Sequence, residues 1–202
     1  MALVTGGGRG IGAGIARELA SAGMSVAVSG RTEAQVQEAA REVGGLALVG
    51  DVSERDDVER WVAAVESELG PVDLLVNNAG VGGEDGPAWE AEPEAWWRTF
   101  EINVRGPFLM CRAVLPGMIE RGHGRIVNVA SGAAYLPLGG GRRLSSSYGA
   151  SKAALYRFSE ILAAHLDGHG IAVFPISPGL VKTQMTSSAP DDSPWKIGRA
   201  HV

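Results

Sequence analysis

The chain has 202 residues and 21.0 kDa, enough for one well-cored domain and too little for two ordinary ones. Hydrophobic residues make up 45% and charged residues 20%, with a mean hydropathy of +0.05, so disorder is excluded as the main state. No apolar run reaches the roughly 18 residues a membrane helix needs, and the net charge of −5 argues against nucleic acid as a partner.

In chain order, short apolar runs at residues 2–4, 25–28, 46–49, 74–76, 125–129 and 171–176 predict strands. They are nearly continuous runs rather than alternating ones, as strands buried on both faces of a parallel sheet are. Between them lie predicted helices at residues 11–22, 33–43, 55–69, 94–120 and 147–166. In the third, Val58, Trp61, Val62, Val65 and Leu69 fall on one stripe. This alternation predicts a three-layer α/β domain, a doubly wound parallel sheet of the Rossmann type with right-handed crossovers. Ligands of such sheets bind beyond the carboxyl ends of the strands, so chemistry is sought in the loops that follow them.

The first predicted strand runs into Thr5-Gly6-Gly7-Gly8-Arg9-Gly10-Ile11-Gly12. Glycines allow a tight turn and let backbone N–H groups approach a phosphate, and the helix that follows adds a partial positive charge. No Gly-Lys-Ser/Thr follows, which argues against a nucleotide triphosphatase. The second strand ends in Ser29-Gly30-Arg31, without the Asp or Glu that holds a ribose 2′-hydroxyl in NAD-preferring folds. Arg31, with Arg9 on the same side, can instead meet a 2′-phosphate through the guanidinium fork. Asp51-Val52 follows the third strand and Asn77-Asn78-Ala79-Gly80 the fourth.

Tyr148 and Lys152 stand at i and i+4, on one face of the fifth predicted helix. A phenol titrates near pH 10, and a neighbouring ammonium favours its ionised form, which makes the pair a credible acid/base unit. Ser131 sits just past the fifth strand, and Asn103 lies in Asn103-Val104-Arg105-Gly106.

The spacing Gly6-x-x-x-Gly10-x-Gly12, Asn77-Asn78-Ala79-Gly80, and the series Asn103, Ser131, Tyr148, Lys152 resemble the short-chain dehydrogenase/reductase family over almost the whole chain. The general dinucleotide fingerprint is matched only loosely, by Gly8-x-Gly10-x-x-Ala13. The resemblance implies an oxidoreductase moving a hydride between NADP(H), favoured over NAD(H), and a small carbonyl or secondary-alcohol substrate. It implies a catalytic tetrad in which Tyr148 exchanges a proton with the substrate oxygen and Ser131 holds that oxygen. Lys152 would contact the nicotinamide ribose, and Asn103 would anchor a relaying water. Implied cofactor contacts are Gly6, Gly8, Arg9, Gly10, Ile11, Gly12, Arg31, Asp51, Val52, Asn78, Ala79, Gly80, Tyr148 and Lys152, joined by Pro178, Gly179, Val181 and Thr183 after the sixth strand. Asp51-Val52 looks like the family's adenine-edge pair.

Two other readings stay open: a dinucleotide-sensing binding protein without catalysis, and a sugar-nucleotide epimerase of the related extended branch. The resemblance also implies a homodimer or homotetramer through the predicted helices 94–120 and 147–166, and a cytoplasmic location. No metal site is expected: Cys111 is the one cysteine, and His165 and His169 have no ligand partners nearby. Trp89, Trp96 and Trp97 are expected to pack the start of the long helix or the pocket wall. Arg142 and Arg143 read as solvated loop charges that could attract an acidic substrate. Family domains begin a few residues earlier and continue past Thr183 into a lid, a helix and a seventh strand. Residues 1–195 are therefore expected to be an incomplete, poorly active domain, and Lys196–Val202, which reads as translated adapter sequence, a non-native tail.

Overall fold

The structure, a computed structural model, describes residues 1–135, 145–179 and 181. The strands are β1 (Ala2–Thr5), β2 (Val26–Gly30), β3 (Leu46–Val49), β4 (Leu74–Asn77), β5 (Gly124–Val129) and β6 (Ile171–Ile176). The helices are α1 (Gly10–Ser21), α2 (Glu33–Glu42), α3 (Arg55–Glu68), α4 (Pro93–Phe100), α5 (Gly106–Arg121) and α6 (Ser146–His165). All strand pairs are parallel, in the order β3-β2-β1-β4-β5-β6, so the predicted doubly wound sheet is present. The order reverses between β1 and β4, and a crevice opens there beyond the carboxyl ends of the strands.

Neighbouring residues of one strand feed different layers. Leu3, Leu75 and Ile126 pack with Val58, Trp61 and Val65 of α3 and with Met110 and Val114 of α5. Val4, Val28 and Val76 pack on the opposite face with Ala16 of α1 and Val36 of α2. The central strand β1 is buried at every position, which is why its sequence shows no polar alternation.

The helix predicted over residues 94–120 is continuous but not uniform: α4 runs to Phe100, a π-turn spans Glu101–Arg105 within the same helical path, and α5 begins at Gly106. Pro107 has no N–H to donate to the carbonyl four residues back, that of Asn103, and such a gap favours local widening of a helix. The turn re-aims Asn103 into the interior, where it is fully buried.

Candidate active site

A cavity of about 530 Å³ fills the crevice at the switch point. The turn between β1 and α1 contributes Gly6, Gly8, Arg9, Gly10 and Ile11 to its wall. Arg31 follows from the end of β2, Asp51 and Val52 from the end of β3, and Asn78, Ala79 and Gly80 from the end of β4. Ser131 follows β5, Tyr148 and Lys152 project from α6, and Pro178, Gly179 and Val181 follow β6. The sequence scattered these residues over most of the chain; the topology brings them to one wall. Gly12 and Asn103 lie behind that wall, and Thr183, Arg142, Arg143 and Lys196–Val202 fall outside the described residues.

The glycine turn is held by side chains from the neighbouring strand. Asn78 Nδ2 donates to the carbonyls of Thr5 and Gly6 at 3.0 and 3.1 Å. Thr5 Oγ1 accepts from the N–H groups of Asn78 and Ala79, both at 3.1 Å. These bonds fix the two arms of the switch point against each other. Gly6 has φ +64, a conformation other residues adopt at a cost. At Gly12 a Cβ would lie 2.2 Å from the Gly6 carbonyl oxygen and 2.5 Å from Asn78 Nδ2, so the turn can close only on glycine. No acidic side chain stands in the first turn of α1, leaving its positive end to face the cavity.

At the far end, Arg31 is exposed at the rim and Ser29 is buried beneath it. The Ser29 hydroxyl oxygen is buried without a hydrogen-bond partner among the described residues. Asp51 Oδ1 accepts from the Ser53 N–H at 3.0 Å and from the Ser53 hydroxyl at 2.7 Å. Its Oδ2 meets Arg98 Nη2 of α4 at 2.5 Å. Burial pulls the Asp51 carboxyl upward, but the Ser53 hydrogen bonds and the charges of Arg98 and Arg31 outweigh it and hold the group below its ordinary 3.8.

At the other end, Lys152 is only 4% exposed and its Nζ donates to the Val129 carbonyl at 2.7 Å. Loss of hydration pulls its ammonium from 10.5 down to about 8. The same Nζ lies 5.8 Å from the centre of the Tyr148 ring. Ser131 Oγ accepts from the Ala133 N–H at 3.2 Å, capping the short 3₁₀ turn Gly132–Ala134. Asn103 grips the strand-end loop opposite: Oδ1 accepts from the Val81 N–H and Nδ2 donates to the Val81 carbonyl, each at 2.9 Å. Its second amide hydrogen reaches Ser151 Oγ at 3.0 Å, and Ser151 in turn donates to the Tyr148 carbonyl at 2.9 Å.

Several of these groups escaped the sequence reading. Arg98 contacts a carboxylate 47 residues away, and nothing local marks it. Ser151 had a signal: it shares the helix face of Tyr148 at i+3. The tryptophans divide. Trp96 is half-buried, stacks on Phe100 and donates to Ser146 Oγ at 3.0 Å, whereas Trp89 and Trp97 are 85% and 58% exposed and do not enter a core. Among the described residues no three His, Cys, Asp or Glu side chains gather as a metal would need, and no helix is long and apolar enough to cross a membrane.

A family model described as short chain dehydrogenase matches residues 1–194. The chain belongs to the short-chain dehydrogenase family. A member of the family from Pseudocercospora fijiensis, itself called a short chain dehydrogenase, is 44% identical over 200 residues, covering 95% of this chain. The chain spans 62% of that relative's length. The NADP-dependent 3-hydroxy acid dehydrogenase YdfG of Shigella flexneri, 39% identical, matches 89% of this chain and 71% of its own. Among solved members, the 3-ketoacyl-(acyl-carrier-protein) reductase of Brucella melitensis, complexed with NADH, superimposes with a TM-score of 0.87 at 36% identity. That match covers 92% of this chain and 78% of the other.

Proposed function

We propose that this chain carries the catalytic core of an NADP(H)-dependent oxidoreductase that interconverts a carbonyl and a secondary alcohol, with Tyr148 as general acid and base. The observation that carries the reading is the meeting of Ser131, Tyr148 and Lys152 on the same cavity as the glycine turn. The lining fits a dinucleotide. The Gly6–Gly12 crossing gives close backbone approach to a pyrophosphate, and the buried Ser29 hydroxyl lines the same cavity as the Arg31 cation with acceptor and donor capacity to spare. Gly6, Gly8, Arg9, Gly10, Ile11 and Gly12 would hold the phosphates, Asp51 and Val52 the adenine, and Asn78, Ala79 and Gly80 the middle of the cofactor. Pro178, Gly179, Val181 and Thr183 would face the nicotinamide.

Bound NADPH supplies the hydride. Ser131 Oγ then holds the substrate oxygen, and the Tyr148 hydroxyl gives it a proton during reduction or takes one during oxidation. Lys152 places a positive charge beside the Tyr148 ring. Asn103, fixed by Val81 and Ser151, is a positioning residue that holds the loop after β4 against α6.

The relative and the solved neighbour differ in cofactor, so the preference must be argued from this chain's own residues. Arg31 offers a cation, and no carboxylate follows Ser29-Gly30. The 3-hydroxy acid and 3-ketoacyl chemistry in their names makes 3-oxoacyl thioesters the first substrates to try. Ketones, sugars and steroids follow, with NADPH absorbance as the readout. Replacing Arg31 by Asp should reverse the cofactor preference; tighter binding of NADH by the unmodified protein would overturn the NADP(H) reading. Phe108 on α5 and Ile161 on α6 are 47% and 43% exposed, which supports self-association through these two helices.

A further inference from the structure

Asp51 poses an electrostatic problem for a site that is to accept a 2′-phosphate. It borders the same cavity as Arg31 and is held ionised. An ionised carboxylate on the same cavity competes with the phosphate for Arg31 and repels the phosphate itself. The Arg31 charge already contributes to keeping Asp51 ionised, so the two groups feel each other.

Arg98 answers this from outside the cavity. Its guanidinium forks between three acceptors: Asp51 Oδ2 at 2.5 Å, and Ser53 Oγ and Glu101 Oε2 at 2.8 Å each. Ser53 occupies the other Asp51 oxygen, so both are engaged on the side of α4. Arg105, at the end of the π-turn, donates to the Ser53 carbonyl and clamps the same loop. The Asp51 side chain is 21% exposed and that of Arg98 37%, so solvent screens the pair only in part.

We propose that Arg98 sets the preference for NADP(H) over NAD(H) by neutralising Asp51, which leaves Arg31 for the 2′-phosphate. Arg98 is thus a positioning residue acting through Asp51, and the inference rests on the NADP(H) reading above.

The test measures dissociation constants of NADPH and NADH for the full chain, by quenching of tryptophan fluorescence, and compares their ratio among variants. Arg98→Met is expected to lower the preference for NADPH about three- to ten-fold, the scale of one uncompensated charge several ångströms away in a partly screened site. Arg98→Lys should keep most of the preference. Adding Asp51→Asn to Arg98→Met should restore the ratio, because the carboxylate that Arg98 neutralised is then gone. Asp51→Asn alone should change the ratio less than about two-fold, and this arm stands even if Arg98→Met fails to fold. Equal weakening of both cofactors by Arg98→Met, no restoration in the double variant, or a large rise in NADPH preference from Asp51→Asn alone would each overturn the inference. A protein that prefers NADPH but keeps its ratio in Arg98→Met sinks this inference alone. An unmodified protein that prefers NADH sinks the NADP(H) reading and this inference with it.

Discussion

Lys152 is a charged group that the folded protein keeps at a cost, and replacing it should stabilise the cofactor-free protein. Its ammonium falls from 10.5 to about 8 on burial, which at about 1.4 kcal/mol per pH unit is a penalty of about 3 kcal/mol near neutral pH. Lys152→Met fills the same volume without the charge but leaves the Val129 carbonyl without its donor, a loss of about 1 kcal/mol. The net gain at pH 7 is about 2 kcal/mol, or about 4–8 °C in Tm for a domain of this size. Its sign with pH is fixed. Below about 8 both folded and unfolded states hold the proton and the penalty is full; between about 8 and 10.5 the unfolded state binds a proton that the folded state has shed. Unmodified protein therefore gains stability as pH rises through that window, and the gap to Lys152→Met should shrink to near zero by about pH 9.5. Urea denaturation of both proteins at pH 7 and 9.5, without cofactor, measures it. A variant no more stable at pH 7, or a gap that widens with pH, would refute the reasoning. Activity should be lost in the same variant, as expected where a site keeps a group for chemistry at the expense of stability.

Ser151→Ala leaves a buried Asn103 amide hydrogen without its partner and should cost about 1–3 kcal/mol, together with a fall in kcat that exceeds any rise in the KM for NADPH; Ser151→Cys should recover part of both. Gly12→Ala forces a methyl group onto the Gly6 carbonyl oxygen, so dinucleotide affinity should drop by more than tenfold in calorimetric titration. Phe108→Arg with Ile161→Arg should convert an assembly into monomers in light scattering at micromolar concentration, while the circular dichroism spectrum stays unchanged.

The fold was legible because a parallel sheet buries both faces of each strand. The runs at residues 2–4 and 74–76 are apolar for that reason, and the turn glycines mark where they stop. Most of the site was legible too, since its residues sit at strand ends or on one face of α6. Other parts depend on contacts between distant segments, which local pattern does not encode. Arg98 reads as one charge in an acidic stretch until folding brings it to Asp51. The π-turn at Glu101–Arg105 carries Asn103, which meets Val81 and Ser151 across the interior, and apolar periodicity alone does not mark such a widened turn inside a helix. Lys152 was legible as the partner of Tyr148, but its burial against the Val129 carbonyl was not.

The central claim is that Tyr148 moves the proton at the oxygen of a carbonyl reduced with NADPH. The measurement is single-turnover oxidation of NADPH by unmodified protein and by Tyr148→Phe, with the best substrate of the carbonyl panel, alongside NADPH affinity from fluorescence. The account predicts that Tyr148→Phe, which deletes only the hydroxyl, binds NADPH within a few-fold of the unmodified protein and reacts about 10²–10⁴-fold more slowly. A variant that keeps most of its rate would remove Tyr148 from the mechanism and contradict the account.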